Sequence, residues 1–384
     1  MTRHLLVSLF LFIFTFSCDD SASSGEPCPD AGRCDQCDAA SCDTDAEPCP
    51  EADPEPPQYF SAFDYFPPSY GASRTSFNRW SAYLETRYTG AERGSYLVPS
   101  ATDSDLTMDW LYITAQSSPE KLLIITTGVH GIEGFLGSMA LQHFFDEVLE
   151  ELDLSATGVL VFHAVNPWGF RHLRRVSENN VDMNRNFDVT PDLFDKTNEV
   201  YADIDPYLNP TGPVDYNWDY YTSELLLLPA LAMYSFDEIK ASVLGGQYEY
   251  PDGIYFGGYA FEPQKAAIEG VVLDKSAPYG MVMLFDIHSA YGDRGKLHLL
   301  GNEGYTQLQD DTLDAVFTGW TVERTGDQVG EGYNLSGDIT VYMGDLLADK
   351  FYLTVTLEYG TLDTLGLEGG KEALNRTILE NQGV

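Results

Sequence analysis

The 384-residue chain has no cysteine beyond residue 49 and few basic residues for its size. All six cysteines lie in the first 49 residues, so any disulfides are confined to that segment. Lysine and arginine together number 21, against 60 aspartates and glutamates, which gives a net charge of −39. A surface this acidic repels phosphate backbones and argues against a nucleic-acid partner. No obligate protein partner is predicted either.

The first apolar run of the chain is too short to cross a bilayer as a helix. Residues 1–17 begin with the basic Arg3 and continue as an apolar run to Phe16, which is typical of an export signal. Cys18 then stands where a bacterial lipoprotein carries its lipid, although Phe16 occupies a position at which a smaller residue is usual. An ordinary cleaved signal is the alternative. We expect an exported protein in both cases: a lipid-anchored protein of the cell envelope, or else a periplasmic or secreted one.

Residues 18–57 are predicted to be a disordered tether. This segment carries 12 acids and one arginine, a net charge of −11, and is nearly free of large apolar side chains. The export signal contributes +1, so the charge of −39 leaves −29 for residues 58–384. The composition of that body is globular throughout, and we predict a single catalytic domain.

Strand-like apolar runs alternate with helical periodicity along the body. The predicted strands cover residues 121–127, 158–165, 281–287 and 351–357, and predicted helices include residues 223–242 and 371–382. This alternation predicts an α/β domain with a parallel or mixed sheet.

A polar side chain follows or ends each of the four predicted strands. His130 and Glu133 follow the first strand, in the sequence TGVHGIEG, and Asn166 follows the second. His288 ends the third strand and Glu358 the fourth. Because sites in open α/β sheets form at the carboxyl ends of strands, these separated residues indicate one site.

Two histidines and a glutamate, with one position left for water, are the ligand set of a catalytic zinc site. His130, Glu133 and His288 are therefore the candidate ligands of one Zn²⁺ per chain. A strand-end carboxylate that faces the metal can take a proton from water, which makes Glu358 the candidate general base. Asp286, two residues before His288, is either a partner of that histidine or an ordinary polar strand end.

A local cluster of basic residues stands out against the acidic background. It indicates a bound anion and consists of Arg171, His172, Arg174, Arg175 and Arg185. A guanidinium beside the amide of Asn184 suits the capture of a substrate carboxylate, and a second arginine near a scissile carbonyl would stabilise an oxyanion.

The motifs HGIE, NPWGF, RRVSENNVDMNRNF, DIHS and TLEYGT occur in the order and approximate spacing found in zinc carboxypeptidases of the carboxypeptidase A type. The chain most resembles a mainly bacterial branch of that family, catalogued as a domain of unknown function (DUF 2817). The resemblance extends from about Tyr59 to the C-terminus. It implies an α/β/α sandwich around a mixed, mainly parallel sheet of about eight strands. The segment GGQYEYPDGIYFGG, residues 245–258, resembles a loop near the pocket.

The resemblance also implies roles for individual residues. The implied roles are zinc ligation by His130, Glu133 and His288, general base catalysis by Glu358, binding of the substrate carboxylate by Asn184 and Arg185, polarisation of the scissile carbonyl by Arg175, and orientation of a zinc-bound histidine by Asp182. The neighbouring Arg174 leaves the assignment of Arg175 open by one residue. Trp168 replaces an acid of the family pattern. The family's substrate-closing tyrosine has no clear counterpart, although Tyr333 and Tyr342 lie in the right region.

Three functions remain open. The first is an exported zinc carboxypeptidase that cleaves the C-terminal amide bond of a peptide with a free carboxylate. The second is a zinc amidohydrolase acting on small acylated amino acids. The third is a catalytically inert binding lipoprotein of the same fold. Complete sets of ligands, base and arginines favour the first two functions over the third.

Overall fold

The computed structural model describes residues 54–59, 61–215, 228–324 and 336–383. Its centre is an eight-stranded mixed sheet with the order β1-β2-β4-β3-β5-β8-β6-β7. Its strands are β1 (Glu92–Leu97), β2 (Thr107–Ile113), β3 (Lys121–Thr127), β4 (Thr157–His163), β5 (Met281–Ala290), β6 (Leu297–Gly301), β7 (Val322–Arg324) and β8 (Phe351–Gly360). The four central strands β4, β3, β5 and β8 are mutually parallel. Antiparallel pairs flank them on both sides.

Ten α-helices occur in the described ranges, and none of them is long and apolar enough to cross a membrane. They are α1 (Tyr70–Arg87), α2 (Gly134–His143), α3 (Pro167–His172), α4 (Glu199–Leu208), α5 (Leu228–Met233), α6 (Phe236–Gly245), α7 (Pro263–Ser276), α8 (Gln307–Val316), α9 (Ile339–Leu346) and α10 (Leu367–Gln382).

Both faces of the sheet are covered by helices, because side chains of the central strands alternate between two cores. Leu123 and Ile125 of β3 belong to a core that also contains residues of α1, α2 and α8. Leu122 and Ile124 point to the opposite core, which contains residues of α7 and α9. Burial of apolar side chains on both faces is typical of central parallel strands. The predicted α/β/α sandwich with an eight-stranded mixed sheet is confirmed.

A third and smaller apolar cluster lies apart from the two sheet cores. It joins side chains of α4, α6 and α10, among them Tyr201, Ile239 and Ile378. The sequence predicts one helix over residues 223–242, but the described part of this region contains α5 and a separate α6. Ser235 explains the break, because it caps α6 in a capping box with Glu238.

The carboxyl ends of β3, β5 and β8 lie at one edge of the sheet, as predicted. β5 and β8 extend beyond their predicted ends, so His288 and Glu358 lie within the last residues of these strands. Pro57, the last residue of the predicted tether, is buried. Residues 1–53, with the predicted signal and Cys18, lie outside the described residues.

Candidate metal centre and active-site cavity

The loop between β3 and α2 brings His130 and Glu133 together. Glu133 ends a 3-10 turn, Gly131–Glu133, and this turn packs closely against the start of α3. A side chain at Gly131 would overlap the backbone of Gly169, so glycine is required at this close approach. The backbone N–H of Gly131 donates to the carbonyl of Arg175 at 3.0 Å, which holds that arginine beside the loop.

Three candidate ligand side chains converge at the sheet edge. The Nδ1 atoms of His130 and His288 are 3.1 Å apart. The Glu133 carboxylate reaches both rings, with one oxygen 2.9 Å from Nδ1 of His130 and the other 3.2 Å from Nδ1 of His288. Ligand atoms about 2.1 Å from a tetrahedral zinc lie about 3.4 Å from one another. The observed separations are close to that value, so this buried set of two imidazoles and one carboxylate fits a zinc ion.

Each histidine is held from behind by a buried carboxylate. Nε2 of His130 lies 3.2 Å from the carboxylate of Asp182, and Nε2 of His288 lies within hydrogen-bond distance of Asp286. Thr126 fixes Asp286 in turn by donating its hydroxyl hydrogen at 2.7 Å. Carboxylates in these positions favour the tautomer that leaves Nδ1 available to a metal. Asp182 is therefore the carboxylate that contacts His130. Of the two interpretations of Asp286, a partner of His288 or an ordinary polar strand end, the structure supports the partner of His288.

Burial beside opposite charges shifts the pKa values of this cluster. Burial raises the pKa of the Glu133 carboxyl, but His130 and His288 outweigh burial and hold that pKa well below its usual range. Burial lowers the pKa of His288, but Asp286 and Glu133 outweigh it and hold that pKa well above its usual range. In the metal-free protein, a proton on His288 therefore supplies positive charge that a divalent cation can replace.

Glu358 lies beside His288 on the neighbouring strand, because the two residues are direct partners in the β5–β8 register. One of its carboxylate oxygens is buried and has no hydrogen-bond partner in the part of the chain that the structure describes. The pKa of Glu358 is raised to about 7, because burial and the nearby Glu133 carboxylate raise it more than His288 lowers it. A carboxyl with a pKa near neutrality is suited to proton transfer.

Arg175 points toward the candidate metal ligand Glu133 and is held by Asp182. Its Nε donates to Asp182 at 3.0 Å, and one Nη lies 4.0 Å from Glu133. Its guanidinium also covers the ring of Tyr255, 4.8 Å from the ring centre. Arg174, the alternative, pairs instead with Glu380 at 3.2 Å. Of the two neighbouring arginines, Arg175 is therefore the one that lines the cavity beside the candidate metal ligands.

Asn184 and Arg185 lie in the 3-10 turn Met183–Arg185 and line the same cavity. The Asn184 amide is already engaged, since its nitrogen donates to Asp338 at 2.9 Å and its oxygen accepts from the N–H of Ile339 at 3.0 Å. Arg185 donates to the carbonyls of Leu244 and Asn184. Within the described residues, no carboxylate forms an ion pair with the Arg185 guanidinium, so its charge is available to a ligand.

These residues share one cavity of about 510 Å³, a volume within the range of small-ligand sites. The predicted site residues that line it are His130, Glu133, Arg175, Asn184, Arg185, His288 and Glu358. Asp182 is fully buried behind them. The site residues that the motifs imply therefore lie together, in or directly behind the lining of this cavity.

The basic cluster seen in the sequence is divided by the fold. Arg171 pairs with Asp103 and Asp105, and His172 pairs with Asp103. The anions that Arg171 and His172 bind are therefore carboxylates of the chain itself. Only Arg175 and Arg185, of the five basic residues, line the cavity.

Trp168 and Tyr342, which the comparison with the family pattern singled out, do not line the cavity. Trp168 stacks on His172, with ring centres 4.5 Å apart, and donates to the hydroxyl of Thr102. Tyr342 is buried in the core around α9, where its hydroxyl donates to Glu269 at 2.7 Å, and it is therefore not a substrate-closing tyrosine. Tyr333 lies outside the described residues.

The structure also places residues at the site that the sequence analysis did not select. Tyr255, in the loop expected near the pocket, lines the cavity and has a positive φ of 55°, a conformation that is uncommon for a residue with a side chain. Asp338 caps α9 and holds Asn184. A positive φ has no signature in a single sequence, whereas the N-cap pattern at Asp338 offered a detectable signal.

Several solved structures are similar to the chain. Bovine thrombin-activatable fibrinolysis inhibitor, in complex with tick carboxypeptidase inhibitor, is 11% identical with a TM-score of 0.44; the match covers 84% of this chain and 98% of that chain. Carboxypeptidase A from Helicoverpa armigera is 13% identical with a TM-score of 0.44; the match covers 82% of this chain and 73% of that chain. A metallo-carboxypeptidase from Pseudomonas aeruginosa, in complex with (2-guanidinoethylmercapto)succinic acid, is 14% identical with a TM-score of 0.40; the match covers 83% of this chain and 69% of that chain.

No curated protein matches the chain. A family model with the description "Protein of unknown function (DUF2817)" matches residues 66–376. This range contains the candidate metal ligands, Glu358, Arg175 and Arg185, and it confirms the resemblance to DUF 2817 inferred from the motifs. Because the match covers most of the sequence, the chain belongs to the DUF2817 family.

Proposed function

We propose that the protein is a zinc-dependent peptidase of the carboxypeptidase type, which cleaves the C-terminal amide bond of a peptide with a free carboxylate. One observation carries this proposal. His130, Glu133 and His288 converge in a cavity that also contains Glu358 and an arginine whose charge no described carboxylate neutralises. The combination supplies a metal site, a base and an anchor for a terminal carboxylate.

His130, Glu133 and His288 would hold one zinc ion per chain, and Asp182 and Asp286 would keep the two rings oriented. Bound there, a zinc ion would acidify water and polarise a carbonyl. Two histidines and a glutamate, all buried, favour zinc over the oxygen-preferring magnesium and calcium ions.

Glu358 would act as the general base in this reaction. Its carboxyl, with a pKa of about 7, can accept a proton from the attacking water at neutral pH and pass it to the departing nitrogen. Because one of its oxygens has no partner among the described residues, this transfer breaks no existing hydrogen bond.

Arg175 would stabilise the negative charge that develops on the carbonyl oxygen. Asp182 holds its Nε, and the ring of Tyr255 lies under the guanidinium, so the side chain is positioned before substrate arrives. Donors that are fixed in advance stabilise developing charge without reorganising during the reaction.

Arg185 would bind the terminal carboxylate of the substrate. Three of its N–H groups hold backbone carbonyls, which fixes the planar guanidinium and leaves two N–H groups for a ligand. The Asn184 amide is largely committed to Asp338 and Ile339, so we propose a supporting role for it.

The volume of the cavity favours a second candidate as well. About 510 Å³ accommodates an amino acid with a small acyl group, and the same metal, base and Arg185 would serve an amidohydrolase on such molecules. Peptides of two to six residues separate the two candidates. A carboxypeptidase retains its rate on the longer peptides, whereas an amidohydrolase loses it.

A release assay tests the proposed function. Each peptide is supplied with a free and with an amidated C-terminus, before and after treatment with a chelator. We expect release of the terminal residue from free termini only, with loss on chelation and recovery when zinc is restored. Equal release from amidated peptides would contradict the role of the carboxylate, and release that survives complete metal removal would contradict the metal mechanism.

We also propose that the protein is exported and anchored by a lipid on Cys18. The proposal is supported by the short apolar run before this cysteine and by the acidic, cysteine-containing segment after it. Expression in a bacterium, followed by fractionation of the envelope, tests the idea with a Cys18→Ala variant as the control. Membrane association that is unchanged in the variant would contradict the lipid anchor, and cytoplasmic accumulation would contradict export.

A further inference from the structure

Helix α10 contacts the segment that contains Arg175 through the side chain of Glu380, which lies in the last turn of the helix. Its carboxylate accepts a hydrogen bond from the backbone N–H of Arg175 at 2.8 Å. The same carboxylate oxygen lies 3.2 Å from Nε of Arg174. Glu380 and Arg175 are 205 positions apart in the sequence, and the proposed reaction gives Glu380 no role.

The carbonyl groups of the same segment bind the loop between β3 and α2. The backbone N–H of Gly131 donates to the carbonyl of Arg175 at 3.0 Å, and that of Ile132 donates to the carbonyl of Arg174 at 2.8 Å. Both donors lie between the two candidate metal ligands of this loop. The segment is therefore held between the candidate metal centre and α10, and Glu380 supplies the contact to α10.

One carboxylate oxygen holds the two neighbouring arginines in different ways. Arg174 pairs with Glu380 through its guanidinium, and it does not line the cavity. Arg175 binds Glu380 only through its backbone N–H, so its guanidinium can reach the cavity, where Asp182 accepts from its Nε at 3.0 Å. The contacts of Glu380 thus match the observed outcome, in which one arginine of the pair lies in the cavity.

The pair of Arg174 and Glu380 is largely shielded from water, with 15% of the arginine side chain and 32% of the glutamate side chain exposed. A charge in such a place needs a partner. Loss of the carboxylate would leave Arg174 to seek another one, and Asp182 is held by the adjacent residue. It would also remove the acceptor of the Arg175 N–H, which costs stability at that point of the backbone.

Building on the proposed function, we propose that Glu380 is a positioning residue. It fixes the backbone of Arg175 and keeps the guanidinium of Arg174 out of the cavity, so that of these two neighbours only Arg175 faces the scissile carbonyl. A misplacement of about 1 Å at an active site can lower a rate about 100-fold. Because Arg175 would act on the transition state, loss of Glu380 should lower kcat and kcat/KM equally and leave KM unchanged.

The kinetic test uses the full-length, zinc-loaded chain. Glu380→Ala should lower kcat about ten-fold, with KM and zinc content unchanged. Glu380→Gln keeps an oxygen that can accept from the Arg175 N–H, and it should recover most of the loss. Glu368→Ala, on the same helix and 86% exposed, is the matched control and should equal the wild type. A wild-type kcat in Glu380→Ala, or a loss of zinc that accompanies the loss of kcat, would overturn the proposal.

A double-mutant cycle shows whether Glu380 acts through Arg175. Arg175→Ala should lower kcat/KM about 100- to 1,000-fold, because a donor to the developing oxyanion is lost. Addition of Glu380→Ala to this variant should cause no further loss. An equal loss from Glu380→Ala in both backgrounds would show that Glu380 supports the fold in general, and would also overturn the proposal.

A hydrogen-exchange measurement separates failure of this proposal from failure of the peptidase function, because it needs no substrate. Protein isotope-labelled at its arginine nitrogens shows the backbone N–H of Arg175 by NMR, and the signal is identified by its absence in Arg175→Lys. We expect this N–H to exchange about ten-fold faster in Glu380→Ala than in the wild type or Glu368→Ala.

The two readouts have distinct outcomes. If no peptide is cleaved but the exchange pattern holds, Glu380 fixes Arg175 as proposed and the peptidase proposal fails. If exchange at Arg175 is unchanged in Glu380→Ala, the positioning proposal fails whatever the peptides show.

Discussion

The two ends of the cavity are built in different ways. At the metal end, His288 and Glu358 are paired residues of adjacent parallel strands, and each histidine is fixed by a buried carboxylate. At the far end, α6 and α10 pack in the small third cluster rather than in a sheet core. Strand pairing therefore fixes His288 and Glu358, while two helices shape the far end of the cavity. Substitutions at the metal end should therefore abolish activity, whereas substitutions in the helical walls should alter activity by degrees.

Loss of the base should have the largest effect on the rate. Glu358→Gln removes proton transfer, and we expect kcat to fall about 10²- to 10⁴-fold while the zinc content stays that of the wild type. Steady-state kinetics and elemental analysis on one preparation measure both quantities. Glu92→Gln, on the exposed edge strand β1, is the control. Unchanged turnover in Glu358→Gln would assign the base elsewhere.

Loss of the carboxylate anchor should have a smaller effect that depends on the substrate. Arg185→Ala should reduce kcat/KM for peptides with free C-termini about 100-fold, because a charged, hydrogen-bonded pair is lost. Arg171→Ala is the control, because its guanidinium is paired with Asp103 and Asp105 outside the cavity, and it should leave kcat/KM unchanged. A value of kcat/KM in Arg185→Ala equal to that of the wild type would remove Arg185 from this role.

Zinc binding should release a proton near neutral pH. The pKa of His288 is held well above its usual range in the metal-free chain, so the ring is protonated at pH 7 and must lose that proton to bind a metal. The affinity for zinc should therefore rise with pH until the pKa of His288 is passed. Calorimetry in buffers of different ionisation enthalpy measures the release. Asp286→Asn removes a carboxylate that raises this pKa, and it should reduce the release at pH 7. No proton release from the wild type between pH 6 and 8 would contradict the protonated cluster.

The smallest expected effect compares two neighbouring glycines of α10. Gly370→Ala should raise the free energy of unfolding by about 0.5–1 kcal/mol, because alanine is the better helix former and its Cβ finds room. Gly369→Ala should lower it, since the Cβ would overlap the carbonyl of Leu362. Denaturant unfolding of both variants measures the difference. Destabilisation by Gly370→Ala would show that position 370 has no spare space.

Much of the sheet and of its functional edge could be predicted from the sequence. Residues 121–127 form β3 as predicted, because uninterrupted apolar residues in a short run are typical of a strand buried on both faces. His130, His288 and Glu358 could be placed at one edge, since parallel strands end on the same side.

The rest depends on contacts between residues that are distant in the sequence. Arg171 looked like part of an anion site, but its partners Asp103 and Asp105 lie more than 60 residues away, and no pattern in the sequence joins them. The role of Leu244 as an acceptor for Arg185 is likewise invisible before the fold is known. Local patterns predict elements and strand ends, whereas the third cluster arises from packing between distant helices.

The most direct test of the central claim is the zinc content of the full-length chain and of its His288→Ala variant, measured by elemental analysis after dialysis against trace zinc. We predict one zinc per chain in the wild type and a strongly reduced content in the variant, because one of three protein ligands is lost. A full complement of zinc in His288→Ala, or none in the wild type, would contradict a metal centre formed by His130, Glu133 and His288.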